Sequence, residues 1–242
     1  MQHPEEFVRQ LALATPRTWV TPAIVSINVL VWLANVATGV HPLAPDPQLL
    51  LQWGGNFLPL TIEQPWRLVT ATLLHGGLIH LAFNMWALWD AGRIAERFYG
   101  NAQFLVIYLT AGVFGSLASD FFAARSGVSV GASGAIFGVV GALAAALYTK
   151  HHKLPPELVA AMRSSTTMFV GYSLLMGFLT PHIDNAAHIG GLVSGFLMAT
   201  VMAEKFDWEE YRRSVVTRAM LAVAGALVAA FVMWKMLPGP VV

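Results

Sequence analysis

No cysteine occurs among the 242 residues. That absence excludes disulfides, thiolate nucleophiles and Cys-ligated metal, and it leaves the redox compartment undetermined. Charge is scarce as well. Asp, Glu, Lys and Arg make up 11% of the chain, less than half of the roughly 25% usual in soluble domains. The 14 Lys and Arg nearly balance the 13 Asp and Glu, and a formal net charge of +1 is too small to indicate a nucleic-acid partner. A secretory signal is not recognisable either. "MQHPEEFVRQLALATPRTWV" holds acids and prolines before the apolar run begins, whereas a signal passes from basic residues straight into its apolar core. Residues 1–19 are expected to form a short cytoplasmic arm ahead of an uncleaved first helix. No repeat suggests the inverted halves of many transporters.

What remains is 56% hydrophobic, the composition of a membrane protein. A bilayer core of about 30 Å needs roughly 20 apolar residues per helix, with about 17 as the lower limit. Seven segments meet or approach that length, near residues 20–37, 78–95, 104–122, 132–148, 162–179, 186–203 and 217–237. Arg163 and the run Ser164 to Thr167 dilute the start of the fifth. The fold class is therefore all-α, a polytopic helix bundle in a lipid bilayer. Basic residues concentrate in cytoplasmic loops. With the amino terminus inside, eleven of the fourteen Lys and Arg fall on inner segments, and only Arg67, Arg125 and Lys235 lie outside. The carboxyl terminus is then expected outside. Short loops and the lack of an Arg-rich, Ser-rich transit segment favour a bacterial inner membrane. The connection at 38–67 is rich in Pro and Gly yet also in Leu, Trp and Phe. An irregular segment so apolar should pack on the bundle or dip into the outer leaflet, with its backbone satisfied by protein or cavity water.

Three stretches put polar side chains into the bilayer, where each one is a candidate functional group: "LLHGGLIHLAFNMW" (73–86), "GASGAIFG" (131–138) and "DNAAHIGGLVSG" (184–195). His80, Ser133 and His188 each precede a basic anchor, Arg97, Lys150 and Lys205, by 17 residues. That puts all three about 25 Å above their anchors, at one level. Asn84 follows His80 on the same helix face, one turn deeper. Gly134, Gly138 and Gly141 on helix four, and Ala187, Gly191 and Gly195 on helix six, allow close helix approach. A serine hydroxyl needs a base, and imidazole is the usual one near neutral pH. His188 can serve Ser133. His80, Asn84 and the Ser133 N–H can stabilise the oxyanion. Gly76-Gly77 delays the second helix and leaves room for water.

Blander readings exist for each residue. "GASG" alone is an ordinary helix-packing motif, and it lacks the strand that the G-x-S-x-G elbow requires. His188 alone could hydrogen-bond between helices. His75, His80, His182 and His188 could mark a metal site, but no carboxylate is evidently paired with them and Asn84 is a poor zinc ligand. Asp184 either orients His188 or caps helix six. Glu96 and Arg97 mark the inner end of helix two. A serine, two histidines and an asparagine at one depth on three parallel helices are hard to explain as packing alone.

With these motifs, from "WGGNFLPLTIEQPWR" to "AHIGGLVSG", the chain resembles the rhomboid intramembrane serine proteases over about residues 53–195. The resemblance implies a six-helix protease core over 20–205, and a linker with a seventh helix over 206–242. It implies Ser133 as nucleophile and His188 as base in a dyad without an acid. His80, Asn84 and the Ser133 amide would bind the oxyanion, and Gly131 would leave room for substrate. Phe137 sits where some relatives have a tyrosine packed on the base. His75, Trp66 and Arg67 are supporting positions. Substrates would be single-span membrane proteins cut near the outer surface; no metal or cofactor is implied. The competing readings are a silent rhomboid-like binder or chaperone of membrane segments, against which the intact dyad argues, and a transporter. A transporter would need polar residues continuing inward, and helices two, four and six become apolar below the cluster.

Overall fold

A computed structural model describes residues 3–122, 127–180 and 183–238. Arg125 and His182 lie outside the described residues. Among the described residues eleven α-helices follow one another: α1 (Pro4–Ala14), α2 (Val20–Ala37), α3 (Pro47–Gln52), α4 (Leu58–Thr61), α5 (Arg67–Thr70), α6 (Leu78–Tyr99), α7 (Asn101–Phe122), α8 (Ser133–Thr149), α9 (Pro156–Leu179), α10 (Asn185–Val201) and α11 (Trp208–Met236). The only extended pairing among the described residues is one isolated bridge between Asn56 and Ser129. The protein is an all-helical membrane bundle. α2, α7 and α11 are each long and apolar enough to cross a bilayer, and α6 joins this set with the short helical stretch Arg67–Leu73, from which it is bent by 95°.

α8 and α10 are shorter, 17 residues each. A helix of that length spans about 25 Å, less than the hydrocarbon core. α8 can be short because it sits at the centre of the bundle, packed against α6, α7, α9 and α10. It is buried all round, as an inner helix must be. Its closest neighbour is α10. A Cβ added to Gly191 would run into the Gly134 carbonyl, and one on Gly195 into the Gly138 carbonyl. α7 joins the same contact: a Cβ on Gly115 would lie 3.0 Å from the Ala187 carbonyl and 3.3 Å from the Gly134 Cα. Small residues thus let three backbones touch.

The arm ahead of α2 is a helix. Proline at its first turn suits α1, and it buries Phe7 against Phe98 and Phe206, with ring centroids 6.5 Å and 6.1 Å apart. Glu96 does more than mark a helix end. It is fully buried and accepts from the Val20 and Thr21 amides at 2.7 Å and 2.9 Å and from the Thr21 hydroxyl at 2.7 Å. α2 has no capping side chain of its own, so the carboxylate of α6 satisfies its first N–H groups and complements its dipole. Between α10 and α11, Asp207 caps α11 through the Glu210 N–H and pairs with Lys153. That pairing holds the Asp207 carboxyl below the usual carboxylate range.

The connection at 38–67 is more regular than expected, since it winds into α3 and α4. Arg67 anchors it, donating to the Leu51 carbonyl at 2.7 Å, the Gly55 carbonyl at 2.9 Å and Gln64 Oε1 at 2.9 Å. These bonds meet the backbone's need for partners where water is scarce. The Leu78 N–H donates to the Pro42 carbonyl at 2.8 Å, tying the connection to the start of α6.

Candidate active site

Ser133 is the first residue of α8, after Ala132, whose side chain cannot cap. The first N–H groups of a helix have no intrahelical partners, so the Ser133 amide sits uncapped at the positive end of the helix dipole. Gly131 just before it has φ +135°, a backbone region that only glycine enters freely. Space requires glycine too. An added Cβ would lie 2.8 Å from His80 Cε1, 3.0 Å from His80 Nε2 and 3.6 Å from Ser133 Oγ. The missing methyl leaves a gap bordered by the His80 ring and the serine hydroxyl.

His80 comes from the first turn of α6, which begins late because Gly77 takes φ +112° against the Leu43 carbonyl. The Gly76 N–H donates to His80 Nδ1 at 3.2 Å. Nδ1 is thereby the acceptor, and in neutral imidazole Nε2 then carries the proton. That N–H borders the Gly131 gap. One turn deeper, Asn84 is buried and donates one amide hydrogen to the His80 carbonyl at 2.9 Å, which leaves its second N–H uncommitted to that bond. His75 is 2% exposed and meets His80 edge to face at 5.3 Å.

His188 lies in the first turn of α10 and is buried. Its ring stacks on Phe137, with centroids 4.3 Å apart and planes 6° from parallel. Phe137 follows Ser133 by four residues on α8, so it shares the serine's helix face. A Cβ on Gly134 would lie 3.3 Å from the Ala187 carbonyl, so the residue after Ser133 abuts the residue before His188. The base candidate is thus packed on the serine's own face of α8. Asp184 caps α10, its Oδ1 accepting from the Ala187 N–H at 2.9 Å. Its other oxygen accepts from the Ser129 hydroxyl at 2.7 Å. Among the described residues His188 Nδ1 has no hydrogen-bond partner, so the triad reading of Asp184 has no bond behind it.

Trp66 and Arg67 stand apart from this cluster. Trp66 is half exposed and its ring lies 4.8 Å from the Arg67 guanidinium; both belong to the framework of the first connection. Among the described residues no three His, Asp or Glu side chains group as a metal site. Three residues escape the sequence reading. Asn56 donates to the Ser116 carbonyl and accepts from Thr61; Ser129 bonds Asp184; Asp120 is 3% exposed, and among the described residues one of its carboxylate oxygens has no partner. Asp120 carried a usable signal, as an acid inside an apolar helix. Ser129 carried none.

The chain is similar to known proteins over most of its length. The Rhomboid domain family matches residues 62–205. The rhomboid protease GluP of Bacillus subtilis is 44% identical over 139 residues, 57% of this chain and 26% of that protein. RHOMBOID-like protein 6, mitochondrial, of Arabidopsis thaliana is 32% identical over 228 residues, 81% of this chain and 73% of its own length. Rhomboid-like protease 2 of Toxoplasma gondii is 29% identical over 214 residues, 85% of this chain and 74% of the relative. The chain thus spans about a quarter of the Bacillus protein and about three quarters of the other two.

Proposed function

This chain belongs to the rhomboid family, and on that premise we propose that it is an intramembrane serine endopeptidase cutting membrane proteins in or near their transmembrane segments. The observation that carries the reading is the His188 ring stacked on Phe137, one turn below Ser133. A ring held on Phe137, which shares a face of α8 with Ser133, supports His188 as the base for that hydroxyl. His188 removes the Ser133 proton as Oγ attacks the scissile carbonyl, then returns it to the leaving amine. The tetrahedral oxyanion is met by the Ser133 N–H, His80 Nε2–H and Asn84, donors arranged before the charge develops. Water then attacks the acyl-enzyme, with His188 as base again. No cofactor or metal enters the scheme.

Location supports the same chemistry. α8 spans about 25 Å, so Ser133 at its start lies recessed below one membrane surface. With the basic ends of α6, α8 and α10 on the cytoplasmic side, the site opens outward, the amino terminus is inside and the carboxyl terminus outside. The membrane is a bacterial inner membrane. A substrate helix must unwind to expose a carbonyl, which favours small residues around the cut and single-span substrates. A silent binder of membrane segments is the rival reading, and the intact dyad argues against it.

The test is a fluorophosphonate probe on the purified full chain, with the adduct mapped by mass spectrometry. Labelling of Ser133 that disappears in His188→Ala supports the dyad. A folded protein whose site admits the fluorophosphonate and yet stays unlabelled favours the binder.

A further inference from the structure

The segment that delivers Ser133 is held from two sides. On one side Asn56 and Ser129 exchange both backbone hydrogen bonds, at 3.0 Å and 2.8 Å, and the Gly131 N–H donates to the Ala71 carbonyl at 2.9 Å. These bonds fix it to the first connection and to the helical stretch Arg67–Leu73. On the other side the Ser129 hydroxyl donates to Asp184 Oδ2 at 2.7 Å. Asp184, one turn before His188, meanwhile accepts the Ala187 N–H on Oδ1 at the start of α10. A single carboxylate therefore joins the nucleophile's loop to the base's helix.

We propose that the Ser129–Asp184 hydrogen bond is a positioning clamp that sets the separation of Ser133 and His188; the inference rests on the dyad reading above. Capping α10 needs only one carboxylate oxygen. The second reaches across to a residue 55 positions earlier in the chain, through a charge-assisted bond stronger than a neutral one. α8 and α10 are locked along their lengths by glycine contacts, but those contacts begin below Ser133. Above them, the loop's approach to α10 depends on Ser129. Asp184 is a positioning residue rather than a catalytic one: both its oxygens are engaged away from His188, which it influences only through the backbone of α10.

The experiment measures fluorophosphonate inactivation of the full chain, separating the maximal rate (kinact) from the half-saturating concentration (KI), together with melting temperature. The variants are Ser129→Ala, Ser129→Thr, Asp184→Ser, the Ser129→Ala/Asp184→Ser pair and Ser133→Ala. Serine at 184 retains an oxygen able to cap but is too short to reach Ser129. Ser129→Ala and Asp184→Ser are each expected to lower kinact about tenfold to a hundredfold, the scale of a misplacement near 1 Å, with KI unchanged and only the modest fall in melting temperature that one lost hydrogen bond brings. Ser129→Thr restores the rate, and the pair falls no further than the single changes, because one bond is lost only once. Rates within about twofold of wild type in both single variants would overturn the clamp, since a 1 Å misplacement costs far more. A loss confined to KI or melting temperature, or a threonine that fails to rescue, would overturn it too. Ser133→Ala separates the two layers. Labelling that persists in it defeats the dyad itself, whereas an unlabelled Ser133→Ala beside a fully reactive Ser129→Ala defeats the clamp alone.

Discussion

α8 and α9 are consecutive in the chain and packed in opposite ways. Thirteen of the seventeen residues of α8 are buried, against one, Val159, of the twenty-four of α9. Backbone contact at glycine fixes α8 against α7 and α10, whereas Gly171 of α9 has nothing within 4 Å of where a Cβ would stand. A cleft of about 480 Å³ separates α9 from α8 and α10, lined by Gly141, Ala144, Thr166, Gly171, Leu192 and Phe196. The two helices meet near the site, where Phe169 of α9 touches Phe137 with centroids 5.5 Å apart. Close packing is thus assigned to the elements that carry the proposed dyad, and loose packing to one wall beside it. Chemistry needs atoms held to within tenths of an ångström; a wall facing lipid does not.

The contrast can be broken most severely at its tight side. Gly191→Leu places a large side chain on the Gly134 carbonyl, where overpacking costs about 1–3 kcal/mol or more and neither backbone can retreat. Melting in detergent should fall sharply, with fluorophosphonate labelling lost in parallel. Next in size is Asn84→Ala, which should lower the cleavage rate about 10²- to 10³-fold, the usual cost of one oxyanion donor, while the fold survives. Phe137→Leu removes a stacked pair worth about 0.5–1.5 kcal/mol and should slow cleavage about tenfold or less, by freeing the His188 ring. The smallest effect belongs to the loose side. Gly171→Ala meets open space and gains up to about 1 kcal/mol of helix propensity, so its melting temperature should hold or rise and its labelling rate should match wild type. A Gly171→Ala protein as damaged as Gly191→Leu would erase the comparison.

The same contrast explains what the sequence disclosed. The small-residue faces of α8 and α10 obey helical periodicity, so Gly134, Gly138, Gly191 and Gly195 announce their contact in the sequence alone. The expectation that His80, Ser133 and His188 share one depth rests on counting residues along straight helices. The coarse bundle and the family were legible for that reason. Features outside helical periodicity were not. Acids and prolines hid α1, although Phe7 and Leu11 are spaced to bury one face. The resemblance makes Arg67 a supporting position, but no local pattern foretells its three bonds into residues 51–64. Glu96 as a cap for α2, and Ser129 as a partner for Asp184, join residues 75 and 55 positions apart, distances that no local pattern encodes.

The most direct measurement is cleavage of a fluorescently labelled single-span membrane substrate in proteoliposomes by wild type, Ser133→Ala and His188→Ala, each with its melting temperature. Both side chains contribute little to the glycine contacts that hold the helices together. Cleavage by wild type that vanishes in both variants while each remains folded is the predicted result; cleavage that persists in either one would contradict the account.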